Sequence, residues 1–304
     1  MSKLKISVVL LFCLFACKPR NKQKNSKFTV VTTTTMITDL LQNIGGEAIE
    51  VKGIMGPGVD PHLYKASEGD VAKLTQADLI VYNGLHLEGK LVDVFEKMDQ
   101  IGRETVALGG LLTEKQIINS EAFVSAHDPH IWFSIDNWKK ITKELIVFLS
   151  KLNPQNKAVY QKNGAKYIEQ LNALQQEVKT KVEELPKENR ILVTAHDAFS
   201  YFGKEFNFEV LGLQGLSTTT EAGVRDVQRL SNLIIQREIK AIFVESSVPQ
   251  RTVKALQASV ESKGKEVKIG GELFSDALGN TNEETGNYIG MFRYNVNTIV
   301  NALK

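Results

Sequence analysis

One stretch in the middle of the chain, between Pro154 and Pro186, constrains the fold more than any other. Gly164 is its only glycine, and apolar residues recur along it at steps of three and four. The apolar positions are Ile168, Leu171, Leu174, Val178, Val182 and Leu185. This spacing predicts one amphipathic helix of about 30 residues that spans roughly 45 Å. So long a helix is unusual in an α/β protein, and it indicates a strut that joins two lobes.

The sequence on both sides of this stretch alternates short β-rich runs with helical patterns, which is typical of α/β units with a mostly parallel sheet. Strands are predicted near residues 28–35, 51–55, 78–83 and 104–108, and again near 190–195, 208–213, 241–245 and 266–269. Helices are predicted near residues 37–44, 68–76, 88–98, 137–152, 221–239, 251–262 and 283–303. We therefore predict an α/β fold with two lobes of mostly parallel sheet joined by one long rigid helix. The N-terminal lobe would cover residues 28–152, the linking helix 153–187 and the C-terminal lobe 188–304.

The N-terminal residues resemble an export signal. Two lysines precede an apolar run over residues 6–16, which has the length of a signal-peptide core and is too short to span a bilayer. The run ends in Leu-Phe-Ala-Cys, which resembles a lipobox apart from the bulky Phe15. We predict a signal peptide over residues 1–16, then a lipidated Cys17 and a polar tether that ends at residue 27. An uncleaved anchor or an ordinary secreted protein is the alternative. Lipidation would place the protein in the cell envelope, anchored to a membrane and facing the periplasm or the cell exterior.

Charge and cysteine content limit the chemistry. Without the two lysines of the signal segment, 35 of the 37 basic residues remain against 35 acidic ones, so nothing favours electrostatic capture of nucleic acid. Cys13 would leave with the signal peptide and Cys17 would carry lipid, which leaves no thiolate for a disulfide or a metal. Any site for a soft metal must therefore use histidine and carboxylate.

The five histidines are placed alike along the chain. Each one follows a predicted strand directly or lies in a loop after one, and in open α/β sheets ligands bind at the carboxyl ends of the strands. These residues are His62, His86, His127, His130 and His196.

The tripeptide Asp-Pro-His occurs twice, at residues 60–62 and 128–130, and an apolar and an aromatic residue follow each time. Proline fixes its own φ and favours an extended conformation for the preceding aspartate, so the imidazole leaves a stiff turn. Asp60 and Asp128 are placed to orient such a ligand. A hydrogen-bonded turn histidine is the alternative, but two copies on the same type of loop favour ligation.

Two further candidates are ambiguous when each is taken alone. His196 lies in Thr-Ala-His-Asp-Ala-Phe, which follows an apolar strand and opens a predicted helix, where it could instead cap or pack. Asp276 follows the last predicted strand and could instead be a helix N-cap, a role that contributes about 1 kcal/mol.

Several motifs together resemble the zinc- and manganese-binding lipoproteins of ABC importers, the TroA-like family. They are D-P-H-L-Y, Y-N-G-L-H-L-E, D-P-H-I-W, T-A-H-D-A-F-S-Y-F, V-E-S-S and F-S-D-A-L-G, in the family's order. The resemblance covers essentially everything after residue 28. It implies two lobes joined by a rigid helix, with a metal site in the cleft between them. Its expected ligands are His62 and His130 from the N-terminal lobe with His196 and Asp276 from the C-terminal lobe.

The same resemblance implies one transported Zn²⁺ or Mn²⁺ ion per chain, a permease and its ATPase as partners, and a monomeric protein. Manganese-type members carry Glu where this chain has His196, and three histidines with one aspartate favour Zn²⁺ on the affinity order. Members with three histidines and one aspartate also bind Mn²⁺, and the His- and acid-rich loop common in zinc members is absent here. Both metals therefore remain candidates.

Other polar residues are expected near the ligands without being ligands. His127 competes with His130 for the cleft, and the Asp-Pro-His pattern favours His130. His86 is expected in the cleft wall. Glu245, at the end of a predicted strand, is expected to brace the site.

Two alternative functions are compatible with an exported α/β protein that carries these histidines. A secreted zinc-dependent hydrolase would need an open coordination position, whereas four protein ligands are proposed and no H-E-x-x-H motif occurs, so we predict that the chain is not an enzyme. A siderophore- or haem-binding protein of this architecture would need a wide cleft with arginine or aromatic contacts.

Overall fold

The computed structural model describes residues 27–120 and 127–304. The predicted signal peptide, the predicted lipidation site Cys17 and the predicted tether up to residue 26 lie outside the described residues. None of the helices in the described part of the chain combines the length and the apolar character that a membrane span requires.

The N-terminal lobe is built on one parallel sheet in the order β2-β1-β3-β4. Its strands are β1 (Phe28–Thr32), β2 (Ile49–Gly53), β3 (Leu79–Tyr82) and β4 (Thr105–Ala107). Its helices are α1 (Thr35–Gly45), α2 (Glu68–Gln76), α3 (Val92–Gln100) and α4 (Ile135–Leu152). All four strands point the same way, so the loops that follow them emerge at one edge of the sheet.

The predicted linking helix is α5 (Lys157–Glu183), 27 residues long, and a short 3-10 turn at Pro154–Asn156 precedes it. Its buried stripe includes Leu171, Leu174 and Val178, and it packs against α1 and α4. The long amphipathic helix is thus confirmed, slightly shorter than its apolar pattern because the chain turns on either side of it.

The C-terminal lobe contains two pairs of parallel strands, and β5 lies beside β7. Its strands are β5 (Ile191–His196), β6 (Glu209–Gln214), β7 (Ala241–Glu245) and β8 (Lys268–Leu273). Its helices are α6 (Ser200–Phe206), α7 (Val224–Gln236), α8 (Arg251–Glu261) and α9 (Tyr288–Leu303). The fold class is therefore as predicted: two α/β lobes with parallel strands and one long helix.

One apolar cluster runs through both lobes and the linking helix. It contains Leu40 of α1, Leu174 of α5 and Phe292 of α9, all buried. Trp138 of α4 stacks on Tyr288 of α9, with ring centroids 5.1 Å apart and planes inclined by 16°. The two lobes consequently share a core and are not separate bodies on a tether.

Candidate metal centre

The four predicted ligands lie at the ends of strands or in the loops that follow them. His62 follows β2, His130 precedes α4, His196 is the last residue of β5, and Asp276 follows β8. The sequence places a helix start directly at His196, but the strand continues to that residue because it pairs with Gln214 of β6. All four side chains are buried, and none is more than 3% exposed.

These side chains converge on one point in the cleft between the lobes. One ligand atom from each of the four lies within 4.8 Å of all the others. The Nε2 atoms of His130 and His196 are 3.3 Å apart, and carboxylate oxygens of Asp276 lie 3.7 Å and 3.4 Å from them. The ring of His62 is centred 5.5 Å from that of His130 and 5.8 Å from that of His196.

Two of the converging atoms are buried with no hydrogen-bond partner among the described residues. They are Nε2 of His62 and Oδ1 of Asp276. An unsatisfied buried polar atom costs about 1–3 kcal/mol. A cation held by all four side chains would satisfy both atoms, so the donor set fits a bound divalent metal.

The turn that carries His130 is held on two sides. Oδ1 of Asp128 accepts hydrogen bonds from the backbone N–H of His130 at 2.9 Å and contacts its Nδ1 at 2.8 Å. Nδ2 of Asn83, at the end of the β3 segment, donates to the carbonyl of Pro129 at 2.8 Å. With Nδ1 occupied by a carboxylate, Nε2 is the nitrogen that faces the centre.

His196 is oriented in the same manner from the neighbouring strand. Oε1 of Glu245, the last residue of β7, accepts the backbone N–H of His196 at 2.9 Å, and Oε2 lies 2.5 Å from Nδ1. For His62 the equivalent carboxylate is Asp60, whose Oδ1 accepts the backbone N–H of His62 at 2.8 Å. Each proposed histidine ligand therefore has one carboxylate that fixes its main chain.

Burial and neighbouring charges set the protonation of the site. Burial lowers the pKa of His62 to about 3, so this imidazole is neutral and able to ligate. Burial also acts to lower the pKa of His196, but the carboxylates of Glu245 and Asp276 outweigh it and raise that pKa well above its usual value. Burial acts to raise the pKa of Asp276, but the facing imidazoles, His196 above all, hold it below the ordinary range. Asp276 is thus ionised, as a metal ligand should be.

His127 lies outside the convergent group. It is half-buried, forms an isolated bridge with Asn119, and places Nδ1 3.0 Å from the side-chain oxygen of that residue. The convergent group contains His130 and not His127 among the described residues.

His86 lines a cavity of about 700 Å³ that also reaches His62. Its backbone is left-handed, with φ of 64°. The turn before it is held by the buried Glu88, whose Oε1 accepts hydrogen bonds from the backbone N–H of Asn83 and from the hydroxyl of Thr33, each at 2.7 Å. The sequence gives no separate signal for this role of Glu88, although the residue lies in the Y-N-G-L-H-L-E motif.

Asp276 has a hydrogen-bond partner for which the sequence gives no signal. Oγ of Ser247 donates to Oδ2 of Asp276 at 3.3 Å, and Ser247 lies two residues after Glu245. The V-E-S-S motif therefore contributes a contact to each of the two predicted C-terminal ligands, His196 and Asp276.

Comparison with known proteins agrees with this geometry. The family model described as "Zinc-uptake complex component A periplasmic" matches residues 30–302. The manganese-binding lipoprotein MntA of Bacillus subtilis is 43% identical, over 98% of this chain and 99% of its own length. The zinc-binding protein TroA of Treponema pallidum is 46% identical, over 92% of this chain and 90% of its own length.

The solved structure of the periplasmic zinc-binding protein TroA from Treponema pallidum superposes with a TM-score of 0.88. The match covers 91% of this chain and 99% of that one, at 46% identity. Fold, length and sequence thus coincide with one group of metal-binding proteins.

Proposed function

Because this chain belongs to the family of periplasmic zinc-uptake components, we propose that it binds one Zn²⁺ or Mn²⁺ ion outside the cytoplasm and delivers it to the permease of an ABC importer. The observation that carries this proposal is the convergence of four buried ligand atoms within 4.8 Å. Relatives named for manganese and for zinc lie at 43% and 46% identity, which supports naming both metals.

The proposed ligands are His62, His130, His196 and Asp276. Three imidazoles and one carboxylate supply four donors, the number that the tetrahedral coordination of Zn²⁺ requires, and the same donors are compatible with Mn²⁺. Four protein ligands leave no open position for an activated water, so we propose a carrier and not an enzyme. The relatives are named as transport and metal-binding proteins, which gives the hydrolase alternative no support.

A binding titration tests this function. The purified protein should take up one equivalent of Zn²⁺ or Mn²⁺ and gain thermal stability, because a ligand that binds only the folded state stabilises it by about 4 kcal/mol at a thousandfold excess over Kd. Metal content of the protein isolated from its own cell, measured by mass spectrometry, identifies the ion carried. A protein that binds neither ion, or whose binding survives His62→Ala unchanged, contradicts the proposal.

Delivery of the ion to an importer also implies a membrane anchor and partner proteins. We propose that Cys17 carries the lipid anchor, that the mature protein is a monomer, and that a permease with its ATPase receives the ion. We further propose residues 28–152 and 188–304 as the two lobes and 153–187 as the link. Two relatives support the anchor and the importer: MntA of Bacillus subtilis is named a manganese-binding lipoprotein, and PsaA of Streptococcus pneumoniae is named a manganese ABC transporter substrate-binding lipoprotein.

Replacement of Cys17 tests the anchor. Cys17→Ser should release the protein from the membrane fraction and abolish fatty-acid labelling, because Cys13 would leave with the signal peptide. Cys13→Ser, inside the predicted signal segment, is the control and should leave labelling intact. Partition of the Cys17→Ser protein with membranes after a salt wash would contradict the lipobox assignment.

A further inference from the structure

Both Asp-Pro-His turns of the N-terminal lobe accept a hydrogen bond from a hydroxyl of the C-terminal lobe. Oγ1 of Thr218 donates to Oδ2 of Asp60 at 2.5 Å, and the phenol of Tyr201 donates to the carbonyl of Asp128 at 2.9 Å. The two hydroxyls come from different elements, since Thr218 lies in the loop after β6 and Tyr201 lies on α6. Each contact thus crosses between the lobes and ends on a residue that orients a proposed ligand.

The first contact completes the bonding of the Asp60 carboxylate. One oxygen accepts the backbone N–H of His62, and the other accepts the hydroxyl of Thr218, which is itself buried. A carboxylate with both oxygens engaged is held in one orientation. The position of the His62 turn therefore depends on the loop after β6 in the opposite lobe.

The second contact fixes the base of the other turn. The Tyr201 oxygen donates to the Asp128 carbonyl and accepts the backbone N–H of Ile118 at 3.1 Å, and the side chain is buried. The side chain of Asp128 in turn binds both the backbone N–H and Nδ1 of His130. Since α6 begins four residues after His196, the segment that carries one ligand also holds the turn that carries another.

We propose that Thr218 and Tyr201 are positioning residues for the metal, holding the two N-terminal turns against the ligands of the C-terminal lobe. Each hydroxyl holds one N-terminal turn in the position at which its histidine meets the other three proposed ligands. This inference rests on the proposed metal-binding function. Partners of metal ligands typically change affinity by ten- to a hundredfold when they are removed, because the ligands lose their fixed orientation.

Two substitutions remove the hydroxyls with little change in volume. Thr218→Val and Tyr201→Phe should each weaken Zn²⁺ binding about tenfold in a competition titration against a chromophoric chelator. The visible absorption of bound Co²⁺, which reports ligand geometry, should also change. Thr218→Ser restores a hydroxyl and should recover the wild-type affinity and spectrum.

Matched controls remove hydroxyls that do not bridge the lobes. Thr219→Val acts on the adjacent exposed residue, whose hydroxyl pairs with that of Ser217 two residues away. Tyr167→Phe removes a buried phenol that accepts from Nε1 of Trp138 at 3.3 Å. Both should bind Zn²⁺ within about twofold of the wild type, since neither hydroxyl contacts an Asp-Pro-His turn.

The outcomes separate positioning from mere support of the fold. If Thr218→Val and Tyr201→Phe lower only the stability of the metal-free protein, while Zn²⁺ affinity and the Co²⁺ spectrum stay as in the controls, the inference is overturned. If Tyr201→Phe does not fold, the comparison of Thr218→Val with Thr218→Ser and Thr219→Val decides alone. A wild-type protein that binds neither Zn²⁺ nor Mn²⁺ would refute the proposed function itself, and this inference with it.

Discussion

A histidine becomes a dependable ligand when both its main chain and its ring are held, and all three proposed histidines meet the first condition. In each, a carboxylate accepts the histidine's own backbone N–H at 2.8–2.9 Å. For His130 and His196 the same carboxylate also meets Nδ1. Such outer contacts fix the tautomer and the ring orientation before any ion arrives.

The two neighbouring histidines, His127 and His130, give the sharpest test at this scale. His130→Ala should abolish most of the metal-induced rise in thermal stability, because it removes one of four converging ligand atoms. His127→Ala should keep most of that rise, since this side chain is engaged with Asn119. The measurement is thermal unfolding of each variant with and without one equivalent of Zn²⁺. The reverse result would refute the assignment of His130, though metal capture by the chain would survive it.

Position 196 should control the choice between metals. His196→Glu replaces an imidazole by a harder oxygen ligand, which should move the ratio of Mn²⁺ to Zn²⁺ affinity towards Mn²⁺ by about tenfold. His196→Gln is the matched variant, because it offers an oxygen without the charge. Titrations of both metals against both variants give the ratio. An unchanged ratio in His196→Glu would show that ligand softness at this position does not select the metal.

At the scale of elements, the sequence predicts the helices whose extent is set by apolar spacing and by capping residues. The 27-residue α5 follows from apolar spacing and from the near absence of glycine, and α2 matches its predicted bounds because Ser67 and Asp70 form a capping box. Helix α9 begins at Tyr288, later than predicted, because the side chain of Asn287 caps it by accepting the N–H of Gly290.

Contacts between distant elements left no such local signal. The hydrogen bond between Thr218 and Asp60 joins residues 158 positions apart, and that between Tyr201 and Asp128 joins residues 73 positions apart. Thr218 lies in none of the quoted motifs, and Tyr201 lies in T-A-H-D-A-F-S-Y-F without any local sign of its distant partner. The four proposed ligands and the carboxylates of Asp60, Asp128 and Glu245 could be proposed from motif and resemblance, whereas the two hydroxyls that bridge the lobes required the tertiary structure.

One contact between helices predicts a pH dependence of stability. Asp39 of α1 accepts the backbone N–H of Tyr288 at the start of α9, at 3.1 Å. Burial raises the pKa of Asp39 from 3.8 to about 6, although this hydrogen bond acts against the rise. The folded state therefore binds a proton more readily than the unfolded chain between these values, so this carboxyl makes the protein more stable as pH falls from 7 to 4.

Asp39→Asn should remove that part of the pH profile. Relative to the variant, the wild type should gain about 2 kcal/mol of unfolding free energy as the pH falls from 7 to 4. A shift of one pKa unit corresponds to about 1.4 kcal/mol, and solvent screening of the partly exposed carboxyl lowers the total. Urea unfolding of the metal-free proteins at several pH values measures it. Asp93→Asn, at an exposed position of α3, is the control. Parallel profiles for the wild type and Asp39→Asn would contradict the burial argument.

At the scale of the whole molecule, the lobes are joined on one side of the site by core contacts. Nε1 of Trp132 donates to the carbonyl of Ser275 at 3.0 Å, and the phenol of Tyr288 donates to the carbonyl of Trp132 at 2.7 Å. The backbone N–H of Leu278 donates to Oγ1 of Thr35 at 2.7 Å. The cavity that reaches His62 lies at the cleft, where the Thr218 hydroxyl is a bridge between the lobes. The shared core favours small adjustments at the cleft over a wide hinge movement.

Metal binding should accordingly change the shape of the molecule very little. A continuous α5 and a core common to both lobes resist bending, so the radius of gyration, about 20 Å for a chain of this length, should fall by less than about 0.5 Å on binding. Solution scattering with and without Zn²⁺ measures this. Gln170→Pro, at an exposed position in the middle of α5, should enlarge the fall in the radius of gyration, because proline removes a helical hydrogen bond and clashes with the preceding turn. Gln170→Ala is the control and should leave that fall as small as in the wild type. A fall of several ångströms in the wild-type protein would mean that the lobes hinge freely, and the long helix could not then be a rigid strut.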